Sequence, residues 1–291
     1  MRVERPADAA TFLRDASTFL VEREAQHCLM LGVAGNIARG SFDMPPDGYL
    51  GIVRDEEGEV VAAALMTTPW KMVVSEVEDR HLSAVAAALA EDIATSQAAQ
   101  AFSGVLGGIP VAHAIVEAWC RPRDLVPAVS MREHIYRIER LVEPPPIEGA
   151  ARRATTADRD LLVDWVADFQ AEALGDQSRE SAALGVDRAL SRGERTYWLW
   201  EVDGAPVSVA ASAGPTPNGI RIGPVYTPRD HRGHGYASAV TAAVTKAELA
   251  VPGRRFVFLF TDIGNPTSNK IYQAIGYERV GDMEQVGFGS R

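Results

Sequence analysis

The sequence IRIGPVYTPRDHRGHGYASAV, residues 220–240, decides the fold of the region around it. An apolar strand pattern ends in a turn that contains Gly233 and Gly235, and a helix pattern of small residues follows. Glycine has no Cβ, so the backbone can turn tightly there and a ligand can approach closely. The free N–H groups at the start of the helix, its positive dipole end and the planar guanidinium of Arg232 together suit a pyrophosphate.

Two glycines alone are a weak signal, because many strand-to-helix turns contain them for geometric reasons only. A Walker loop is excluded, since it needs Gly-Lys followed by Ser or Thr. A dinucleotide fingerprint is disfavoured, because Ser238 stands where that motif has its third glycine and no acidic residue is evident about 20 residues further on. The loop therefore indicates an anion site of another type, with a plain tight turn as the alternative.

Composition limits the classes of function. The chain has 291 residues, enough for two domains of ordinary size, and 46% of them are hydrophobic and 23% charged. The formal net charge of -10 argues against non-specific binding to nucleic acid. The sequence has 2 cysteines, no Cys/His cluster with metal spacing, no signal-peptide pattern and no run of about 18 apolar residues. These features predict a cytoplasmic protein with no metal, no membrane segment and no nucleic-acid partner.

A proline-rich segment, EPPPIEG at residues 143–149, divides the chain. Proline neither continues a helix nor donates to a strand ladder, so an extended spacer is expected there. The predicted domains are 1–142 and 151–291, joined by a linker at 143–150. Both halves show two helices, three strands, a helix, a strand, a helix and a final strand region, which indicates two copies of one fold. In the second half the final region is expected to form two short strands, 277–282 and 285–288.

The two copies differ at the turn where chemistry is expected. At the position that matches the glycine turn, the first half reads SEVEDRH, residues 75–81. This stretch has no glycine, and its acidic residues crowd the start of a helix. Carboxylates there favour the helix but repel a phosphate. We therefore expect only the second half to bind an anionic cofactor.

The strand, glycine turn and helix together resemble the GCN5-related N-acetyltransferase (GNAT) family. The family signature Gln/Arg-x-x-Gly-x-Gly/Ala is met by Arg232, Gly235 and Ala237. A second block resembles the same family, because Asn265 follows a strand pattern, Tyr272 lies on the next helix, and a Gly-aromatic pair comes after it. The tandem order, with a degenerate first copy, resembles the FR47-like and glycine N-acyltransferase-like branch.

The resemblance implies an α/β (α+β) fold of two tandem GNAT-like domains, each with a mixed, mostly antiparallel central sheet flanked by helices. It also implies acetyl-CoA as cosubstrate, no metal, and acetyl transfer to a primary amine by direct attack in a ternary complex. In this family the strand before the glycine turn splays from its neighbour, and the pantetheine arm lies in the gap. The residues that match the family's acetyl-CoA site are Val225, Tyr226, Thr227, Arg232, Gly233, His234, Gly235, Tyr236, Ala237, Ser238, Asn265 and Asn269.

Tyr272 is the candidate general acid, because a phenol with a pKa of about 10 can protonate a departing thiolate within hydrogen-bond reach. Its alternative role is packing. Many relatives have a glutamate base on the strand before the glycine turn, but residues 220–225 contain no carboxylate. Glu201 is therefore the first candidate for the base. Asp262, Glu172 or a chain of water molecules are the alternatives.

Two other functions stay open at this point. The missing strand carboxylate also suits a non-catalytic CoA-binding or scaffold module, and the two glycines leave a nicotinamide-dependent oxidoreductase as a third option. Glu172, Asp176 and Glu180 could attract a cationic amine or form a solvated face. The expected partner is an amine of a small molecule, amino acid or peptide, and the expected state is a monomer or homodimer.

Overall fold

Helices and strands follow the order that the apolar patterns predict. The computed structural model describes residues 1–175 and 178–290. Helix α1 shows how the sequence sets a helix start, because the Asp8 carboxylate accepts a hydrogen bond of 2.7 Å from the Thr11 N–H. In chain order the first half contains β1 (Arg2–Glu4), α1 (Ala9–Val21), α2 (Glu24–Ala38), β2 (Tyr49–Arg54), β3 (Val60–Met66), β4 (Met72–Val74), α3 (Asp79–Ala94), β5 (Val105–Gly107), α4 (Ile109–Cys120) and β6 (Leu125–Ile138).

The second half repeats this order. A cap precedes its first helix, since the Thr155 and Asp158 side chains form a capping box. The elements are β7 (Ala150–Arg153), α5 (Arg159–Leu174), α6 (Arg179–Arg192), β8 (Arg195–Val202), β9 (Ala205–Ala213), β10 (Gly219–Tyr226), α7 (Tyr236–Leu249), β11 (Phe256–Asp262), α8 (Pro266–Ala274) and β12 (Glu278–Ser290).

The chain divides into two units. The first contains Met1–Tyr136, Phe260–Asn265 and the described residues from Arg279 onward, and the second contains Arg137–Leu259 and Pro266–Glu278. Strand β12, at the far end of the sequence, thus belongs with the first unit, where it lies between β5 and β6. The domain ranges 1–142 and 151–291 stay a prediction, because these units are a spatial grouping that the chain enters more than once.

Strand pairing has the same pattern in both units. In the first, β1–β2, β2–β3, β3–β4 and β5–β12 are antiparallel and β4–β5 is parallel. In the second, β7–β8, β8–β9 and β9–β10 are antiparallel and β10–β11 is parallel. The mixed, mostly antiparallel sheets flanked by helices are therefore confirmed, and so is the internal repeat.

The first unit buries both faces of its sheet. On one face, Ile52 and Leu65 pack with Phe12 of α1. On the other, Val53 packs with Leu89 of α3. Successive residues of a strand point to opposite faces, so strands covered on both sides become almost continuously apolar. Complete burial of one such side chain stabilises the fold by about 1.5–3 kcal/mol.

A second core lies under α5 and α6. Leu162 and Val166 of α5 and Val186 of α6 pack on Leu199 of β8 and Val209 of β9. The helical spacing of these apolar residues in the sequence matches the face that is buried. This packing fixes α5, whose last turns carry Glu172 towards the glycine turn described below.

The two short strands predicted at 277–282 and 285–288 are wrong, because one strand, β12, runs through both. The predicted break falls at residues 283–284, directly after the Gly281-Asp282 pair. In the structure the Asp282 carboxylate is held by His134 at 2.7 Å, and the following residue, Met283, is buried. Tertiary contacts thus stabilise extended backbone in a stretch whose local sequence has only a weak preference for a strand.

Candidate functional site

The segment from Arg232 to Ser238, here called the glycine loop, is open to a ligand. Gly233 and Gly235 have φ angles of 83° and 84°, a region that other L-residues rarely adopt. Gly235 is also the N-cap of α7. A Cβ placed on Gly233 would have no atom within 4 Å, so the space beside the backbone is free. The loop therefore presents the N-terminus of a 14-residue helix to solvent.

Strand β10 pairs with β11 on one side and with β9 on the other. The parallel register with β11 runs from Gly219↔Phe256 to Ile222↔Leu259 within the second unit. The register with β9 shifts between Ile222 and Val225, as at a β-bulge. Val225 and Tyr226 pair with Ala210 and Val209 of β9 and lie beyond the residues that pair with β11 in the second unit. An opening on the β11 side of these residues stays a prediction.

The end of β10 is anchored on the side of β9. The buried Ser208 hydroxyl donates a hydrogen bond of 3.1 Å to the Tyr226 carbonyl oxygen. The same hydroxyl lies 2.8 Å from the Thr227 hydroxyl. Sequence patterns did not single out Ser208, because this contact joins residues of two strands and has no local signature. The anchoring makes the position of Tyr226 and Thr227 well defined.

Arg232 already has an internal partner. Its Nη2 donates a hydrogen bond of 2.7 Å to the Glu172 carboxylate, and its Nε donates one of 2.8 Å to the Thr227 carbonyl oxygen. Arg229 contacts the other oxygen of Glu172 at 3.3 Å. The hydrogen bond from Arg232 is the main cause that lowers the pKa of Glu172. Glu172, one of the base candidates from the sequence, therefore forms an ion pair with Arg232 of the glycine loop.

The remaining loop residues complete a half-exposed surface. His234 is exposed and its ring stacks on Tyr236 with centroids 5.5 Å apart. Ala237 and Ser238 are half-buried in the first turn of α7. Ile147, from the proline-rich segment, lies close enough that a Cβ on Gly235 would be 3.8 Å from its Cγ2. The proline-rich segment therefore runs beside the loop.

Tyr272 on α8 is buried, with 8% of its surface exposed. Burial raises the pKa of its phenol to about 12, and a hydrogen bond with Ser268 opposes that shift. Its ring meets Tyr277 edge-on at 6.0 Å. The Tyr277 hydroxyl lies 2.8 Å from that of Thr245 on α7, which ties the end of α8 to α7. Tyr272 is therefore a protonated donor at neutral pH.

The predicted pantetheine ligands Asn265 and Asn269 lie on either side of a unit boundary. Asn265 belongs to the first unit and donates its N–H to the Asp262 carbonyl oxygen at 3.0 Å. Asn269 lies on α8 in the second unit. The Asp262 carboxylate accepts the Gly264 N–H at 2.7 Å, so this base candidate stabilises a turn. The cofactor roles of both asparagines stay predictions.

Glu201 on β8 has a structural partner. Its Oε1 accepts a hydrogen bond of 2.7 Å from Arg152, which also forms two hydrogen bonds to Asp158. The Arg152 hydrogen bond is the largest cause that lowers the pKa of Asp158 to about 2. The assignment of Glu201 as base stays a prediction. Asp176, a candidate for amine attraction, lies outside the described residues, and Glu180 lies in the first turn of α6.

Comparison with known families gives a match in the region just described. Residues 159–277 match the model of the acetyltransferase (GNAT) family. This part of the second half of the chain is therefore similar to a GNAT domain. The glycine loop and α8 lie inside the matched range, and the comparison with curated proteins found no matching sequence.

Solved structures, among them two whose names place them in the GNAT family, share the fold at low sequence identity. A GCN5-related N-acetyltransferase from Kribbella flavida has 18% identity and a TM-score of 0.56, over 79% of this chain and 87% of its own. A Drosophila protein has 13% identity and a TM-score of 0.67, over 98% of each chain. A tandem GNAT protein from the clavulanic acid biosynthesis pathway has 15% identity and a TM-score of 0.55, over 99% of this chain and 98% of its own.

These likenesses extend over nearly the whole chain in two of the three cases, so the chain contains two GNAT-like folds in tandem. The GNAT match supports acyl transfer from acetyl-CoA as the general class of reaction. In the described residues, no three His, Cys, Asp or Glu side chains form a group that could hold a metal ion. None of the described helices has the length and apolar character needed to cross a membrane.

Proposed function

We propose that this protein is an N-acetyltransferase that moves the acetyl group of acetyl-CoA to a primary amine by direct attack in a ternary complex. One observation carries the proposal: within the second unit β10 pairs with β11 only up to Ile222, and the strand then leads into an exposed glycine loop that caps a helix. This combination offers an extended groove for the pantetheine arm and an anion site for the pyrophosphate.

The donor is held mainly by backbone groups. N–H groups of residues 233–237 face the pyrophosphate, where the dipole of α7 favours negative charge. Arg232 adds a guanidinium fork that exchanges Glu172 for phosphate oxygens. Val225, Tyr226 and Thr227 line the pantetheine and the thioester carbonyl. Their backbone N–H groups stabilise the oxyanion that forms on attack.

The reaction removes two protons from the substrate nitrogen and adds one to the sulfur. The ammonium form of the substrate loses one proton, its neutral nitrogen attacks the thioester carbon, and the tetrahedral intermediate loses the second proton from that nitrogen to solvent. Its collapse breaks the carbon–sulfur bond, and the CoA thiolate takes the phenolic proton of Tyr272. Solvent then restores the proton to the phenolate. Arg152 occupies Oε1 of Glu201, so Oε2 is the oxygen that would accept the amine proton.

The acceptor is a primary amine of a small molecule, an amino acid or a peptide. An acceptor screen tests the proposal: purified protein, acetyl-CoA and a panel of such amines, with release of the CoA thiol as the signal. We expect amine-dependent release, with intersecting lines in double-reciprocal plots because both substrates are bound at once. Parallel lines would instead indicate an acetylated enzyme.

A non-catalytic CoA-binding module is the second candidate, and the absence of a carboxylate from residues 220–225 favours it. Calorimetric binding of CoA together with no thiol release from any amine would support this candidate and overturn the enzyme proposal. A saturable fluorescence response to NADH, with no binding of acetyl-CoA, would overturn both.

A further inference from the structure

A cavity of about 320 Å³ lies in the first unit, and no residue assigned above to acetyl-CoA is among those that line it. Its lining includes the side chains of Arg23, Gln26, Glu76 and Asp282 and the backbone at Gly108. All of these residues belong to the first unit. Cavities of a few hundred Å³ with a small number of placed polar groups are the usual form of small-ligand sites.

Glu76 is held in this cavity by its backbone. Its N–H donates a hydrogen bond of 2.9 Å to Nε2 of the buried His27, whose Nδ1 donates to the Leu20 carbonyl oxygen at 2.8 Å. Burial lowers the pKa of His27 to about 4, so the ring is neutral and Nε2 is free to accept. A buried histidine thus fixes the place of residue 76 without binding its carboxyl group.

The Glu76 carboxyl has room only because residue 108 is glycine. A Cβ on Gly108 would lie 2.4 Å from Glu76 Oε1, well inside contact distance. The carboxyl is half-buried, and burial raises its pKa, whereas the charge of Arg23 opposes that shift. No described side chain donates a hydrogen bond to it. A desolvated carboxyl of this kind gains from a cationic hydrogen-bond donor.

Two further lining residues, Asp282 and Gln26, are also oriented by hydrogen bonds. Asp282 accepts hydrogen bonds from His134 and from Arg279 Nε, at 2.7 and 2.8 Å. Gln26 donates its amide N–H to the Val280 carbonyl oxygen at 3.0 Å, which leaves the amide oxygen as its acceptor. Arg23, in contrast, is exposed at the start of α2 and has no ion pair in the described part of the chain.

We propose that this cavity binds a small zwitterion of the amino-acid class, with its ammonium group facing Glu76 and Asp282 and its carboxylate facing Arg23. An anion such as a nucleotide phosphate is disfavoured by the two carboxylates. A metal ion is disfavoured because the described residues form no three-ligand group here. The residues proposed above for acetyl transfer lie in the second unit except Asn265, and none of them lines this cavity.

Isothermal titration calorimetry on the full chain tests this proposal. The probes are glycine, L-alanine, L-leucine and L-glutamine, each paired with an amine and a carboxylate of similar size, such as isobutylamine and isovalerate for leucine. We expect at least one zwitterion to bind with 1:1 stoichiometry, at least about tenfold more tightly than either single-charge comparator. Absence of binding by every zwitterion at millimolar concentration would overturn the proposal.

Variants locate the binding. Glu76→Gln and Arg23→Gln should each weaken the zwitterion at least about tenfold, because each removes one charged partner. Glu57→Gln and Arg121→Gln change exposed residues of the same unit and should leave affinity unchanged. Arg23 is exposed, so its variant keeps the test valid if Glu76→Gln does not fold.

The second unit could also bind an amino acid as acceptor, and the same variants separate the two sites. Binding that persists unchanged in Glu76→Gln and Arg23→Gln comes from elsewhere and overturns the proposal. Thiol release from acetyl-CoA should be unaffected in both variants when acceptor is saturating. Loss of amine-dependent turnover in the wild type would instead count against the proposed transferase function and leave this cavity untouched.

Discussion

The two units place a helix at the same point of the same fold, yet the turns before these helices differ. In the second unit, β10 leads into the glycine loop and α7. In the first, β4 leads into residues 75–81, where Glu78 is the N-cap of α3 and Asp79 lies in its first turn. One turn offers free N–H groups to an anion, and the other already carries carboxylates there. A few residues at one turn thus decide the chemistry of a whole unit.

The largest effect on kcat should come from the proposed general acid, Tyr272, which belongs to the second unit. Tyr272→Phe should lower kcat by about 100-fold with little change in KM, because a positioned general acid contributes at least that much. Burial raises the pKa of Tyr272 to about 12, so the intact phenol stays protonated at neutral pH and its own ionisation gives no loss of rate there. Steady-state thiol release over a range of pH checks both points.

Tyr277→Phe is the matched control. It removes another buried phenolic hydroxyl, together with the contact between that hydroxyl and Thr245. This change should lower thermal stability and leave kcat within about threefold of the wild type. Equal losses of kcat in the two variants would show that α8 packing, and not the Tyr272 hydroxyl, is what matters.

The difference between the turns of the two units can be tested directly by removing the conformational freedom of the glycine loop. Gly235→Val should weaken CoA binding by roughly 10- to 100-fold, because a β-branched residue in the left-handed region costs about 1–3 kcal/mol and crowds the loop. Calorimetric titration with CoA measures the loss.

Gly253→Val controls for strain alone. Gly253 has a φ of 83°, and a Cβ there would have no atom within 4 Å, but it lies beyond α7 in a separate turn. The Gly253→Val variant should be less stable than the wild type and should keep its affinity for CoA. If both variants bind CoA like the wild type, the glycine loop is not the pyrophosphate site.

A smaller effect tests the base. Glu201→Gln should lower kcat by about tenfold near neutral pH and recover as the pH rises, since a free amine then needs no base. The pH profile of thiol release checks this expectation. Glu194→Gln, whose carboxylate pairs with Arg188 near the same strand, is the control and should have the wild-type profile. If the pH profile of thiol release in Glu201→Gln were the same as in the wild type, water would be the proton acceptor instead of Glu201.

The smallest effect concerns the internal partner of Arg232. Glu172→Gln should tighten CoA binding by about two- to fivefold, because an exposed ion pair is worth less than about 1 kcal/mol and the phosphate no longer competes with it. Binding titrations at low and high salt measure the change. Asp79→Asn, at the matching helix of the first unit, should leave CoA affinity unchanged. Weaker binding in Glu172→Gln would mean that the carboxylate positions Arg232 for the ligand.

Local sequence patterns predicted much of this structure, because strands, turns and helices depend largely on residues that are close in the sequence. The β2–β3 hairpin follows from apolar strands around a charged turn, and the glycine loop follows from two glycines after a strand. The repeat follows from the order of the elements. The expectation that the first unit binds no anionic cofactor also comes from a local pattern, since residues 75–81 lack glycine, and it stays a prediction.

Contacts between distant residues could not be predicted. Arg232 and Glu172 are 60 residues apart, and Glu201 and Arg152 are 49 apart. No periodicity relates such pairs, since only the packing of α5 and the pairing of β7 with β8 bring them together. The same holds for Glu76 and Gly108, whose contact depends on how β4 and β5 end.

The place of β12 has a consequence for how the protein is made. A ribosome releases the sequence from its N-terminus at about 5–20 residues per second, and domains commonly fold as they emerge. Here the sheet of the first unit needs Glu278–Ser290 between β5 and β6. Until those residues emerge, two strand edges stay unpaired and can attract other chains or chaperones. A premature stop codon before residue 278 would therefore harm the half of the protein that was translated first.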